Sequence, residues 1–489
     1  MLLTFSTIPA HVPSIPSLIW GFSLLGLLQF LPNPFLREMR RFSRRWFLWM
    51  KAAIWRGLMA IGMKFHHLAD PKPPSPNFKI LVPSRLSAAG GQFKLVFYVP
   101  ESYYTDTDEE YRYPVVVNFH GGGFTLGTGT DDARWASAVL KNVDAIFVSV
   151  EYRLAPEFPF SIGVEDGTDA LLYLAAHAEE LRIDPHRMAL SGFSAGGNFA
   201  FTVPLMLRDL QNDAGRRSLH DTANTHPLHN YKSSSNLSLP RPTLTRTSSA
   251  ATSTQSILKL SDLEPTALEV DQKIPDLTLR AIVSFYPPTD FRSTRAEKRS
   301  TNPVPEKNLP PFLTNLFDES YMPGCNIDFS DPYLSPAAAT DADLAAAYPE
   351  DIVLYTCEYD MLNVEGTAFG TRLSSKPIEK TLHGGLIRAV PHAFDKKPNP
   401  LHFPEAANKC YNEACAQLKR VFGGRVSIEE RTQLDEVEVV DRFDEEEAAA
   451  GRRIAKGKER QREEDTDGLL KGPDIYDPNF KKYLDVPKR

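Results

Sequence analysis

The stretch Gly192-Phe193-Ser194-Ala195-Gly196-Gly197, reached from the apolar run Met188-Ala189-Leu190, decides how the rest of the chain is read. An apolar strand that turns sharply into a helix, with small residues on both sides of a serine, makes a nucleophile elbow that lifts the Ser194 hydroxyl to the sheet edge. Gly192 and Gly196 leave room for the turn. The pattern G-x-S-x-G also occurs in ordinary Gly/Ser-rich loops, so its meaning depends on the sequence around it.

Upstream, Phe78-Lys79-Ile80-Leu81-Val82 and Gln92-Phe93-Lys94-Leu95-Val96-Phe97-Tyr98 alternate with period two, which predicts an antiparallel opening pair with one solvated face. From Pro114 the pattern changes to unbroken apolar runs, Val115 to Phe119 and Ala145 to Val150, as in parallel strands covered on both faces. A helix is expected over Val164 to Leu181, and the runs Ala281 to Phe285 and Ile352 to Cys357 continue the alternation. The fold class is therefore α/β, a mostly parallel central sheet with helices on both faces. Directly after the strand at Val115 stands His120-Gly121-Gly122-Gly123-Phe124. Successive glycines let the backbone approach a ligand closely and aim N–H groups at one oxygen, the requirement for holding a tetrahedral oxyanion. A phosphate cradle is disfavoured because no Lys-Ser/Thr pair follows at P-loop spacing. His120 reads as a structural hydrogen-bonding residue rather than a general base.

With HGGGF, then Tyr152-Arg153-Leu154-Ala155-Pro156-Glu157, then GFSAGG in this order, the chain resembles the hormone-sensitive-lipase family of α/β-hydrolases. Further matches are Tyr286-Pro287-Pro288-Thr289-Asp290, Asp360-Met361-Leu362-Asn363-Val364-Glu365-Gly366 and Pro391-His392-Ala393-Phe394. The resemblance covers about Phe78 to Phe422 apart from an insertion, and implies an α/β-hydrolase fold, ester hydrolysis, Asp360 as the acid and His392 as the base. The chain order Ser194, Asp360, His392 is the order that α/β-hydrolases require. Glu358 is the rival acid and His383, in Gly-rich surroundings that look like a turn, is the rival base among the 12 histidines. Asp360 and His392 are preferred on their motifs. The family pattern is broken at Phe193, where Asp is usual, and at Ala393, where Gly is usual. These departures bear on the shape of the acyl pocket and on the dynamics of the histidine loop. Pro204, inside the helix that the elbow begins, should end or kink it.

The resulting mechanism has His392 taking the Ser194 proton as the hydroxyl attacks an ester carbonyl, Asp360 fixing the imidazole tautomer, and the N–H groups of Gly122, Gly123 and Ala195 forming the oxyanion hole. No cofactor and no metal enter this scheme. The alternatives are a ligand receptor on the same fold and acyl transfer to an alcohol.

The ends and the insertion are different in character. The chain has 489 residues and a net charge of -7, which gives no general invitation to nucleic acid. Residues 1–31 carry no charged side chain, and the run Ile15 to Leu31 has a length that suits a bilayer span. Arg37, Arg40, Arg41, Arg44 and Arg45 follow it and favour a cytosolic side. Trp46 to Phe65, with Lys51, Arg56 and Lys64, suits a helix in the headgroup region. Residues 1–75 are thus expected to be a membrane anchor and basic amphipathic segment, 76–424 a hydrolase domain interrupted by a Ser/Thr/Pro-rich insertion at 211–275, and 425–489 a charged tail, both segments being unable to pack. The expected partners are a membrane, such as that of the endoplasmic reticulum, and a small-molecule or lipid ester. The four cysteines show neither a disulfide framework nor zinc spacing.

Overall fold

A computed structural model of the chain describes residues 33–106, 111–212, 274–324 and 327–423. The apolar run 15–31, nearly all of the insertion and the charged tail lie outside the described residues, as do the side chains of residues 33–44.

The core is an eight-stranded sheet in the order β1-β2-β4-β3-β5-β6-β7-β8. The strands are β1 (Phe78–Pro83), β2 (Gln92–Tyr98), β3 (Tyr113–Phe119), β4 (Ile146–Glu151), β5 (Ile183–Phe193), β6 (Leu279–Phe285), β7 (Asp351–Tyr359) and β8 (Thr381–Pro391). The first pair is antiparallel, β2 also runs antiparallel to β4, and all later pairings are parallel. Strand β3 is buried at every residue, which is why it carries no alternation. Besides a four-residue helix at Ser102–Thr105, the α-helices among the described residues are α1 (Asn33–His66), α2 (Ala133–Asn142), α3 (Ile162–Ala176), α4 (Ala195–Gln211), α5 (Arg295–Ser300), α6 (Pro311–Tyr321), α7 (Asp341–Ala347), α8 (Asn363–Ser374) and α9 (Glu405–Phe422). Helices α2 and α9 cover one face, where Val116, Ala189, Phe193, Val283 and Val353 meet Trp135, Tyr411 and Leu418. Helices α3, α4 and α8 lie on the other, with Phe201 of α4 edge-on to Phe369 of α8 at 5.2 Å.

Several details differ from the sequence reading. Helix α3 stops at Ala176, short of the expected Leu181. Helix α4 does not end at Pro204 but continues to Gln211, because the helix is buried along almost its whole length and packing outweighs one missing backbone bond. The Gly-rich segment at His383 is not a turn; it runs within β8, paired with β7 through Val353↔His383. Residues 45–71, which the sequence reading assigns to the segment before the 76–424 unit, are packed against it. Leu48, Ala52 and Met63 are buried, and the Arg134 guanidinium donates to the carbonyls of His66, Ala69 and Pro71 at 2.8, 2.6 and 2.7 Å, capping the C-terminal end of α1.

His66 sits in this joint with its ring edge-on to Phe403 at 5.8 Å. Burial, reinforced by Lys396 and Arg134, pushes the imidazole down to about 4 from an ordinary 6.5. The folded state therefore holds His66 neutral, whereas the unfolded chain takes up the proton near its ordinary value, so this site withdraws stability as pH falls from about 6.5 towards about 4. The melting temperature is expected to drop through that window, and His66→Gln, which cannot titrate, is expected to shallow the slope in a thermal-melt series across pH.

Candidate active site

Three strand ends assemble the site. Ser194 follows β5 in a strained conformation with φ 52° and ψ -117°, and α4 begins directly behind it. Asp360 follows β7 and His392 follows β8, and the parallel register pairs Tyr359 with Pro391, so these two side chains emerge as neighbours. His392 Nδ1 lies 2.7 Å from Asp360 Oδ2 and His392 Nε2 lies 2.8 Å from Ser194 Oγ. With the proton on Nδ1, the imidazole donates to the carboxylate and accepts from the serine hydroxyl, the arrangement needed to deprotonate Ser194. The second carboxylate oxygen accepts from Leu362 N at 3.1 Å, which fixes the plane of Asp360. Asp360 and His392 are 2 % and 6 % exposed, so the array is screened from water on all sides but the serine's. The rivals are occupied elsewhere: Glu358 accepts from Ala389 N, and His383 is paired with Asp351 at 3.0 Å.

The glycine loop lies beside the elbow because β3 and β5 are adjacent, with Phe119 in register with Gly192. This is the point where the chain, having laid β4 on one side of β3, crosses to lay β5 on the other, and such crossovers open a crevice at the carboxyl ends of the strands. Gly122, Gly123 and Phe124 all have positive φ (118°, 59° and 60°). For Phe124 that conformation costs roughly 1 kcal/mol. The loop is braced from behind: Tyr152 OH donates to His120 O at 2.8 Å, Ala155 N donates to Phe124 O at 2.9 Å, and the Tyr152 ring stacks on His120 at 4.3 Å. His120 thus serves as a structural residue. The Gly122 carbonyl turns back to accept from Thr125 N and Leu126 N. Among the described residues the N–H groups of Gly122, Gly123 and Ala195, the three expected to face an oxyanion, meet no protein acceptor.

Several contributors have no motif. Phe193 does not shape the pocket: its ring points into the opposite face of the sheet, stacked on Phe285 at 4.4 Å with Lys396 Nζ 3.8 Å from its centroid. Lys396 is ion-paired with Asp132 at 2.9 Å and Asp395 at 3.3 Å. Asp395 accepts from the hydroxyls of Tyr286 and Tyr411. Burial alone would raise the Asp395 carboxyl, but Lys396 and the two hydroxyls hold it below the usual carboxylate range. Tyr286 also lays its ring edge against His392 at 4.9 Å, so this network backs the histidine loop. Ala393 takes φ 53° and ψ 35°, the left-handed conformation that the usual glycine would adopt, so the loop keeps its shape without it.

The crevice above Ser194 is lined by Phe291, Phe317, Met322, Met361 and Leu362, with the Arg295–Asp318 pair on its wall. Phe317 lies so close over Gly123 that a Cβ there would sit 2.2 Å from its ring. Arg295 makes a bidentate contact to Asp318 at 2.9 and 2.7 Å, so the two charges on the wall are paired with each other. Among the described residues no group of three His, Cys, Asp or Glu is spaced to hold a metal ion.

This combination of a crossover crevice, an elbow serine and a glycine loop defines the α/β-hydrolase class. The family profile described as alpha/beta hydrolase fold matches residues 116–266 and 263–396, more than half of the chain, and the protein belongs to that family. Carboxylesterase NlhH of Mycobacterium tuberculosis is 44% identical over 97 residues, which is 20% of this chain and 30% of that protein, so the chain aligns with less than a third of this relative's length. Arylacetamide deacetylase of Oryctolagus cuniculus is 29% identical over 288 residues, 55% of this chain and 67% of that protein. The esterase of Pyrobaculum calidifontis superposes with a TM-score of 0.53 at 23% identity, covering 76% of this chain and 92% of that chain, a likeness of fold.

The glycines of the elbow are set by contact. A Cβ on Gly196 would lie 1.9 Å from Phe119 O, a backbone atom that cannot yield. Gly196→Ala is therefore expected to give either insoluble protein or a soluble form whose Ser194 does not react with a fluorophosphonate probe. Ala393→Gly is expected to keep kcat within about two-fold of the parent, since its backbone already occupies a conformation open to glycine.

Proposed function

We propose that the protein is a carboxylic-ester hydrolase acting on apolar esters through an acyl-enzyme on Ser194. The observation that carries this reading is the unbroken hydrogen-bonded line Ser194–His392–Asp360 at 2.8 and 2.7 Å, set beside a glycine loop whose Gly122 and Gly123 N–H groups meet no acceptor among the described residues. In the first half-reaction Ser194 Oγ attacks the ester carbonyl carbon while its proton passes to His392 Nε2. The carbonyl π electrons move to oxygen, where the Gly122, Gly123 and Ala195 N–H groups receive the negative charge. Collapse of this intermediate expels the alcohol, which takes the proton from His392. Water then repeats the sequence on the acyl-enzyme and releases the acid. Asp360 keeps the imidazole in the reactive tautomer and offsets the charge it gains. A receptor role would not require this three-residue alignment.

The apolar lining of the crevice favours a substrate that is apolar on the side of the bond it houses. The names of two relatives, a carboxylesterase and an arylacetamide deacetylase, agree with ester or amide acyl chemistry in this family. A lipid-facing location is supported by α1. Its inward face is buried, and its outward face carries Trp46, Phe47, Ile54, Leu58, Ile61 and Phe65, each about half exposed. A stripe of that size on a soluble surface marks a contact site, and its Trp rings and flanking basic residues suit a headgroup layer. Among the described residues no helix is long and apolar enough to cross a membrane. The anchoring role falls to the run Ile15 to Leu31, with the hydrolase unit on the cytosolic side of an intracellular membrane such as the endoplasmic reticulum.

Ser194→Ala is expected to abolish both fluorophosphonate labelling and hydrolysis of aryl esters of short acids. Asp360→Asn is expected to lower kcat by about 10⁴-fold while the fold is retained. Absence of labelling in active-site titrations of the parent protein would refute the hydrolase reading. For the topology, the sequon at Asn236 is expected to carry no glycan. A glycosidase-sensitive mobility shift that disappears in Asn236→Gln would place the unit in the lumen.

A further inference from the structure

The oxyanion loop is held on its outer side by a residue that lies far from it in sequence. Arg56, on the inward face of α1, donates from Nε to Thr125 O at 2.9 Å and from Nη2 to Ala155 O at 2.8 Å. The same guanidinium makes a two-oxygen contact with Glu157, Nη1 to Oε1 and Nη2 to Oε2, both at 2.8 Å. A planar fork with five fixed donors can satisfy two carbonyls and a carboxylate at once, which an ammonium cannot. Thr125 directly follows Gly122, Gly123 and Phe124, the run of positive φ. Ala155 is the residue whose N–H braces the Phe124 carbonyl. The bridge therefore ties the free end of the strained loop to the segment behind it, and Glu157 sets the rotation of the fork. The adjacent Trp55 stacks on Phe312 of α6 at 5.0 Å, and α6 also carries Phe317, the ring lying over Gly123. Successive residues of α1 thus reach the loop that would hold the oxyanion and the helix that roofs it.

We infer that Arg56 is a positioning residue for the oxyanion hole, so that the N-terminal helix belongs to the working active site. This rests on the hydrolase reading. Hydrogen-bond donors stabilise developing charge only when held at the distance the transition state requires, and a loop with consecutive left-handed residues relaxes when one of its few outside bonds is removed. Arg56 touches neither substrate nor reacting atoms; it acts through Thr125 and Ala155.

The experiment compares the full-length parent with Arg56→Gln, Arg56→Lys, Glu157→Gln and, as a comparison on the same helix, Arg45→Gln, whose arginine donates to Pro156 O at 3.3 Å. Rates are taken per active site titrated with a fluorophosphonate, so loss of folded molecules does not enter. Arg56→Gln is expected to lower kcat by about 10- to 100-fold with KM changed less than about two-fold, because misplacing a catalytic group by a fraction of its contact distance costs on that scale. Inhibition by a trifluoromethyl ketone, which forms a serine-bound oxyanion, should weaken in the same proportion as kcat/KM. Arg56→Lys should recover only part of the rate, Glu157→Gln should fall between it and the parent, and Arg45→Gln should stay within about two-fold of the parent. Amide exchange in residues 122–126 should accelerate in Arg56→Gln, a readout that needs no substrate. Unchanged kcat per titrated site, full recovery by Arg56→Lys, or unchanged loop exchange would each overturn the assignment. A parent protein that labels nowhere would refute the hydrolase reading instead, leaving the exchange measurement to judge the Arg56 bridge alone.

Discussion

The site depends on one close approach of backbone to backbone. Strands β3 and β5 run side by side, and the first turn of α4 passes so near the end of β3 that no side chain fits on Gly196. That approach places the glycine loop and the elbow serine within reach of the same small group. It also imposes constraints nearby: Ser194 must adopt a positive φ, and the loop after β3 must turn left-handed through residues that include Phe124. Such backbone strain persists only where surrounding contacts over-determine it. Tyr152 and Ala155 supply two of those contacts, and the elbow is held by Ser194 N donating to Phe285 O at 2.9 Å.

The opposite side of the site is braced by charge. At the end of β5, the position next to the serine carries Phe193, and Lys396 lies over its ring while paired with Asp132 and Asp395. Taking charged groups out of water is costly, and such a cluster is tolerable only when nearly every oxygen and proton has a partner. Asp132 also accepts from Asn118 at 2.7 Å, Asn118 accepts from Ser191 at 2.8 Å, and Ser191 accepts from Trp135 at 3.1 Å. The chain of bonds runs from α2 across β3 and β5 to the loop after β8. The same framework therefore supports the strand that presents Ser194 and the loop that presents His392.

Helix α1 joins the two readings of this protein, the chemical and the spatial. Its inward face enters the bracing of the glycine loop, while its outward face is left apolar. An exposed apolar stripe of this kind marks a contact surface rather than an ordinary solvated helix face. From sequence, Arg56 counted only as one more basic residue in a headgroup helix; its partners are 69 to 101 positions away, and no local pattern signals them.

Local sequence was enough for the α/β class, the antiparallel opening pair and the buried parallel strands, and it singled out Ser194, Asp360 and His392, which the fold brings into one hydrogen-bonded line. Each of those rests on local chemistry: the period of apolar residues, small residues around a serine, and short motifs that follow strands. It misread what depends on partners distant in the chain. Of the two outcomes expected at Pro204, an end or a kink, burial removes the first by carrying α4 on to Gln211. Glycines beside His383 would favour a turn, but pairing with β7 draws them into a strand. The departures at Phe193 and Ala393 looked like changes to the pocket and loop. In the fold, the first turns into the core beneath Lys396, and the second keeps the left-handed backbone of the residue it replaces. Tertiary structure alone decided the Asp395–Lys396 network, the Phe317 roof and the Arg56 bridge, because the energy of each comes from groups that only the folded sheet and its helices bring within hydrogen-bonding or van der Waals distance.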